Sequence, residues 1–74
     1  MQGPGVFKYN NGDAFEGYFV NGKKEGYGTE NYASGSKYDG SWSNDKMHGE
    51  GTWTFTNGES KRGIWKEDKR ISWI

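Results

Sequence analysis

Glycine recurs in this chain at a fixed interval of 23 residues, and that interval limits the fold more than any other property of the sequence. Gly3, Gly26 and Gly49 form one series, Gly5, Gly28 and Gly51 a second, Gly12, Gly35 and Gly58 a third, and Gly17, Gly40 and Gly63 a fourth. Only Gly22 lacks a glycine partner; its equivalents are Asp45 and Asp68, which also tolerate turn conformations. The 13 glycines among 74 residues exceed the roughly five that ordinary usage would supply, and their common register excludes low-complexity filler. The aromatic residues keep the same interval. Tyr9, Tyr32 and Phe55 form one aromatic series, Phe19, Trp42 and Trp65 another, and Phe15 and Tyr38 a third that Lys61 continues. Self-similarity at this period marks a repeat protein.

Each unit contains two short segments of period-two character separated by turn signals, which is a hairpin pattern rather than a helical one. Asn11-Gly12, Asn21-Gly22, Ser34-Gly35 and Asn57-Gly58 supply the turns. In the central unit Tyr38, Gly40 and Trp42 share a strand face, as do Gly49, Gly51, Trp53 and Phe55 on the next strand, while Asp39, Ser41, Ser43, Glu50, Thr52 and Thr54 take the opposite face. The pattern predicts an all-β chain, an elongated antiparallel sheet of successive 23-residue hairpins with one packed face and one wet face. A strand-interior glycine costs about 0.5–1 kcal/mol relative to alanine. Gly17, Gly40 and Gly63, together with Gly26, Gly28, Gly49 and Gly51, are therefore read as structural positions, the first three leaving room for a ring from an adjacent strand.

Composition removes several classes of function. A mean hydropathy of −1.17 with 30% hydrophobic residues excludes a membrane-spanning segment, and 18% aromatic residues argue against disorder. The reading is of a soluble, intracellular domain whose rings form the core. With no cysteine and a single histidine, His48, neither disulfides nor a metal site is expected. The net charge of zero and the lack of any helix pattern after Gly26-Tyr27-Gly28 or Gly49-Glu50-Gly51 disfavour nucleic acid and phosphate-cradling chemistry. Charge is uneven along the chain, because residues 61–74 carry five basic groups against Glu67 and Asp68.

The stretch Tyr38-Asp-Gly40-Ser-Trp42, Met47-His48-Gly49-Glu-Gly51, Phe55 and Asn57-Gly58 resembles the MORN (membrane occupation and recognition nexus) repeat. Phe15-Glu-Gly17-Tyr-Phe19 with Glu25-Gly26-Tyr-Gly28, Tyr32 and Gly35 is similar to a second copy, and residues 1–14 to the latter half of an earlier one. One domain is expected, with a half repeat at 1–14, repeats at 15–37 and 38–60, and a degenerate repeat at 61–74, where Lys61 replaces an aromatic and Ser72 and Ile74 replace the Gly-x-Gly pair. Ile71, Trp73 and Ile74 then read either as a cap on the last hairpin or as a strand that pairs elsewhere. Met1 stands where Met47 stands, so the chain begins inside a hairpin, as a fragment or a subunit completed by neighbours would.

No acid, base, nucleophile or metal set is grouped for catalysis, so no enzyme, cofactor or small-molecule substrate is expected, and His48 reads as a loop residue making a stabilising hydrogen bond. Two binding roles remain. The resemblance implies a scaffold, a small subunit of a larger cytoskeletal or ciliary assembly, with Phe15, Phe19, Tyr32, Tyr38, Trp42, Trp53, Phe55 and Trp65 as the partner-binding aromatic face. The alternative is weak attachment to an anionic phospholipid surface through Arg62, Lys66, Lys69 and Arg70, at about 1 kcal/mol per basic residue. Both would place the chain in the cytoplasm, at the cytoskeleton, in a cilium or at a membrane face. With three repeats or fewer, the isolated chain is expected to be poorly stable.

Overall fold

The computed structural model describes residues 2–74 and resolves the alternating segments into seven strands: β1 (Gly3–Lys8), β2 (Ala14–Val20), β3 (Lys23–Asn31), β4 (Lys37–Ser43), β5 (Lys46–Thr54), β6 (Ser60–Lys66) and β7 (Lys69–Trp73). They lie side by side in chain order in one sheet, each antiparallel to its neighbours. This is the run of hairpins that the period-two pattern predicts. β7 closes the last hairpin on β6, as the cap reading requires. The expected match of Met1 to Met47 lies outside the described residues.

Two kinds of turn alternate. At one end of the sheet, Asn21-Gly22, Asn44-Asp45 and Glu67-Asp68 are two-residue loops with both central residues left-handed, the first of each pair at φ 53°, 55° and 52° and the second at φ 79°, 72° and 71°. Such loops match the natural twist of paired strands. At the other end, Tyr9–Asp13, Tyr32–Ser36 and Phe55–Glu59 form longer loops, each closed by a backbone bond between its first and last residues at 2.7–2.9 Å. The short turns also grip one another. Asp45 N–H donates to Lys24 O at 3.1 Å while Lys24 N–H donates to Asp45 Oδ1 at 2.8 Å; Asp68 and Met47 repeat the exchange at 3.0 and 2.9 Å. Asp68→Ala, which removes the acceptor and puts a poorer residue in a left-handed position, is expected to lower the unfolding free energy by about 1–3 kcal/mol. Asp68→Asn keeps both features, so its chemical melt should lie close to that of the parent.

Each hairpin closed by a two-residue turn carries one register slip. Between the pairs Gly40↔Gly51 and Trp42↔Met47, the single residue Ser41 faces His48, Gly49 and Glu50, and Gly49 takes φ +99° to make the bulge. Gly26 does the same in β3 at φ +74°. These two glycines are therefore bulge residues rather than members of a regular strand face, a distinction that period-two counting does not make.

Six other strand glycines line up. Gly5, Gly17, Gly28, Gly40, Gly51 and Gly63 pair in succession, forming an unbroken row across six strands. Rings lie on this bare backbone. A Cβ on Gly17 would sit 2.7 Å from Phe15 Cζ, and one on Gly40 would sit 2.8 Å from Tyr38 Oη; the same two rings also cover Gly28 and Gly51 on the following strands. Each ring thus spans a glycine of its own strand and one of the next, where the sequence suggested only a ring from an adjacent strand.

Above the row, Phe19, Phe15, Trp42, Tyr38, Trp65 and Trp73 make a zigzag of edge-to-face contacts with centroids 4.8–6.0 Å apart, each such pair contributing about 0.5–1.5 kcal/mol beyond its burial. The Trp42 indole donates to Gly28 O at 3.1 Å, satisfying its polar atom inside this column. On the opposite face the expected polar residues of β4 and β5 are in place, but β1, β2 and β3 expose Val6, Tyr18 and Tyr27 there. Their equivalents in the second unit are polar, so the pattern read from that unit does not carry back to the first.

Candidate functional site

The sheet buries five rings and leaves a second group half open. Phe15, Phe19, Tyr38, Trp42 and Trp65 are at most 5% exposed, so these five members of the expected contact surface are the core and are covered by one another. Tyr32, Trp53 and Phe55 remain partly accessible, along with Tyr9 and Met47. They flank the buried column on the same side of the sheet, with the Tyr32 and Trp53 rings tilted against each other at 5.4 Å and Phe55 6.0 Å from Trp73. Met47, Trp53, Phe55, Trp65 and Trp73 wall a cleft of about 410 Å³ at the β5–β7 end, with Asp68 and Arg70 at its margin.

A second cleft of about 240 Å³ lies toward β2–β3. Its floor contains an ion pair that the sequence reading did not find. Glu30 is 4% exposed and accepts a hydrogen bond from Lys24 Nζ at 2.8 Å. The ammonium also stands 4.7 Å from the Phe15 ring centroid, 4.8 Å from Trp42 and 5.0 Å from Tyr9, a cage of three aromatic faces closed by one carboxylate. Burial acts to lower the Lys24 pKa, but the hydrogen bonds and charges of Glu30 and Tyr9 outweigh it, and the group rises above its ordinary 10.5. The 23-residue offset places Met47 and Trp53 at the matching positions of the next repeat. The pair was therefore detectable as a break in the period, two apolar positions replaced together by opposite charges.

Around this pair the cleft is lined by Asp13, Asp45 and Asp68, with Tyr9, Tyr32 and Trp42 as aromatic surface. Burial foremost, then the charges of Glu30, Asp68 and Asp13, push the Tyr32 hydroxyl up to about 12. Tyr38 is also raised to about 12, chiefly by burial. Both phenols therefore favour the folded state while neutral, and that contribution fades as pH rises from about 10 toward 12.

The four bases proposed for lipid contact do not share a surface. Arg62 stands opposite Thr52 and is ion-paired with Glu50, while Lys66 and Lys69 face each other across β6 and β7 on that same side. Arg70 is opposite Trp65 on the aromatic side, its guanidinium 4.3 Å from the Trp73 ring. His48 is exposed in β5, and among the described residues its side chain makes no hydrogen bond, where a loop-stabilising one was expected. The bond belongs to its equivalents instead: Glu25 Oε2 accepts from Asn44 N–H at 2.8 Å, and Gln2 Oε1 accepts from Asn21 N–H. Among the described residues, no group of three or more His, Cys, Asp or Glu side chains is arranged to hold a metal ion.

No curated protein matches the chain. The MORN repeat family matches it at residues 1–14, 15–37 and 38–60. Those segments divide the sheet at β2 and β4, so that each full unit contributes one two-residue turn, one bulge glycine and one ring laid over a glycine pair. On that match and this architecture, the chain belongs to the MORN repeat family.

Proposed function

We propose that the chain is a non-enzymatic protein-interaction module, a small scaffold subunit of a larger cytoskeletal or ciliary assembly, that receives protein partners on its aromatic side. The observation that carries this reading is the half-open cleft between Met47 and Trp73. Its walls are rich in tryptophan, a residue type that dominates protein interfaces when seated in a pocket rimmed by other contacts. Trp53 packs against the buried column yet, like Phe55, stays partly accessible in the cleft, so both rings are open to a partner. The non-enzymatic character of the repeat family supports a binding role.

The test is affinity capture from extract of ciliated cells with the parent chain and with Trp53→Ala, scored by which proteins are lost. Selective loss of cytoskeletal or ciliary proteins in the variant is the expected outcome, and an identical set in both samples counts against the cleft. The same proteins presented to vesicles containing phosphoinositide should stay in the supernatant, since Arg62 is already paired and Arg70 faces the other way. Salt-sensitive sedimentation abolished by Lys66→Glu with Lys69→Glu would instead favour the lipid surface.

A further inference from the structure

Asp68 lines both clefts, so the apolar wall and the acidic wall belong to one continuous groove on the aromatic side. Four carboxylates, from Asp13, Glu30, Asp45 and Asp68, border the acidic end, where Lys24 is the one cation among the described lining residues and is already bound to Glu30. The three aspartates are fixed by the backbone. Asp13 Oδ1 accepts from Ala33 N–H at 2.7 Å, Asp45 Oδ1 from Lys24 N–H at 2.8 Å and Asp68 Oδ1 from Met47 N–H at 2.9 Å. The second oxygens of Asp45 and Asp68 have no protein partner among the described residues. This end of the groove is thus negative, rigid and faced with aromatic rings, an arrangement complementary to an organic cation. The fold already demonstrates the match, because Lys24 holds its ammonium against Tyr9, Phe15, Trp42 and a carboxylate in the floor of the same cleft.

We propose that the groove binds a protein segment that sets a lysine or arginine side chain among Asp13, Asp45 and Asp68 and an apolar side chain against Met47, Trp53 and Phe55. This rests on the reading of the chain as a protein-binding module and specifies the chemistry of the partner. The apolar contact supplies most of the affinity, and the charge selects the partner and orients it. An anionic lipid headgroup is repelled by the same carboxylates.

The test uses fluorescein-labelled Gly/Ser peptides carrying one Phe and one Arg at varied spacing, matched peptides with Glu in place of Arg, and matched peptides with Ala in place of Phe, read by anisotropy. At least one spacing of the Phe/Arg set should bind about tenfold or more tightly than its Glu counterpart. The triple variant Asp13→Asn, Asp45→Asn, Asp68→Asn should lose that preference, since asparagine keeps the oxygen that holds the backbone and removes only the charge. Rising sodium chloride should erase the preference in the parent chain, a readout that stands by itself if the triple variant fails to fold. Equal binding of Arg and Glu peptides at every spacing, or no binding of either, overturns the inference. If Arg and Glu peptides bind equally and both lose affinity in Trp53→Ala, the charge inference fails and the binding-module reading survives. If no peptide binds and affinity capture is also unchanged in Trp53→Ala, that reading fails as well.

Discussion

Gly51→Ala is expected to destabilise the chain by about 3 kcal/mol, and Gly40→Val to abolish a cooperative melt altogether. A Cβ on Gly51 would meet Tyr38 Cε1, Oη and Cζ at 2.5–2.6 Å. The ring cannot step aside. Its hydroxyl donates to Ser41 O at 2.8 Å, and Trp42 and Trp65 hold its two edges at 5.3 and 4.8 Å. Overpacking of a core typically costs about 1–3 kcal/mol and more where the neighbours are locked. A chain of this size has about 4–11 kcal/mol in total. At Gly40 the added atom meets backbone of the paired strand as well, with Glu50 O at 2.8 Å, so the ladder itself must open. Gly22→Asn is the control: its site is open and left-handed at φ +79°, and aspartates occupy the equivalent positions at 72° and 71°. It should change stability by less than about 1 kcal/mol. The measurement is denaturant unfolding, with a double-mutant cycle between Gly51→Ala and Tyr38→Ala that should return a coupling of about 0.5–3 kcal/mol. An unchanged melt for Gly51→Ala would show that the ring does not rest on the backbone.

The second large effect concerns the buried ion pair. Lys24→Met leaves Glu30 with its carboxylate 5% exposed and without a counter-ion, a situation that typically costs about 3–5 kcal/mol. Adding Glu30→Trp turns the site into a copy of Met47 and Trp53 one repeat later. That double variant should regain the parent stability or exceed it by up to about 4 kcal/mol, as replacement of buried ion pairs by well-packed apolar groups often does. Chemical melts of the three proteins at neutral pH decide the matter. A loss below about 1 kcal/mol for Lys24→Met at neutral pH would mean that the pair is effectively solvated. Should the double variant be stable yet lose preference for basic peptides, the cage contributes to selectivity while its loss leaves the fold intact.

Much of this fold was legible because a hairpin repeat writes its constraints in residue types that have few other uses. Strand alternation, Asn-Gly turns and paired glycine series led directly to the antiparallel order, and the rings beside Gly17, Gly40 and Gly63 to the packed face. Period counting could not separate Gly28 and Gly51, which lie under rings, from Gly26 and Gly49, which bend the chain, because both kinds recur every 23 residues. It also treated eight aromatic residues as one surface. Burial of Phe15 and Tyr38 depends on rings two strands away, Trp42 for the first and Trp65 for the second, a cross-strand property that no single unit contains. The acidic cleft was least legible, since Asp13, Asp45 and Asp68 come from three different turns and meet only when the hairpins stack. Lys24 and Glu30 did leave a trace, as charged residues at positions that carry Met47 and Trp53 in the following unit.

The chain-order arrangement of the strands also bears on how the protein is made. Every strand finds its partner across a turn of two residues or a loop of five, and substantial contacts join only neighbours in sequence. Short closures carry a small entropic cost, and folds dominated by local contacts form quickly. A nascent chain can therefore lay down one hairpin after another as it leaves the ribosome, each new ring settling on a glycine pair that is complete once the next strand arrives.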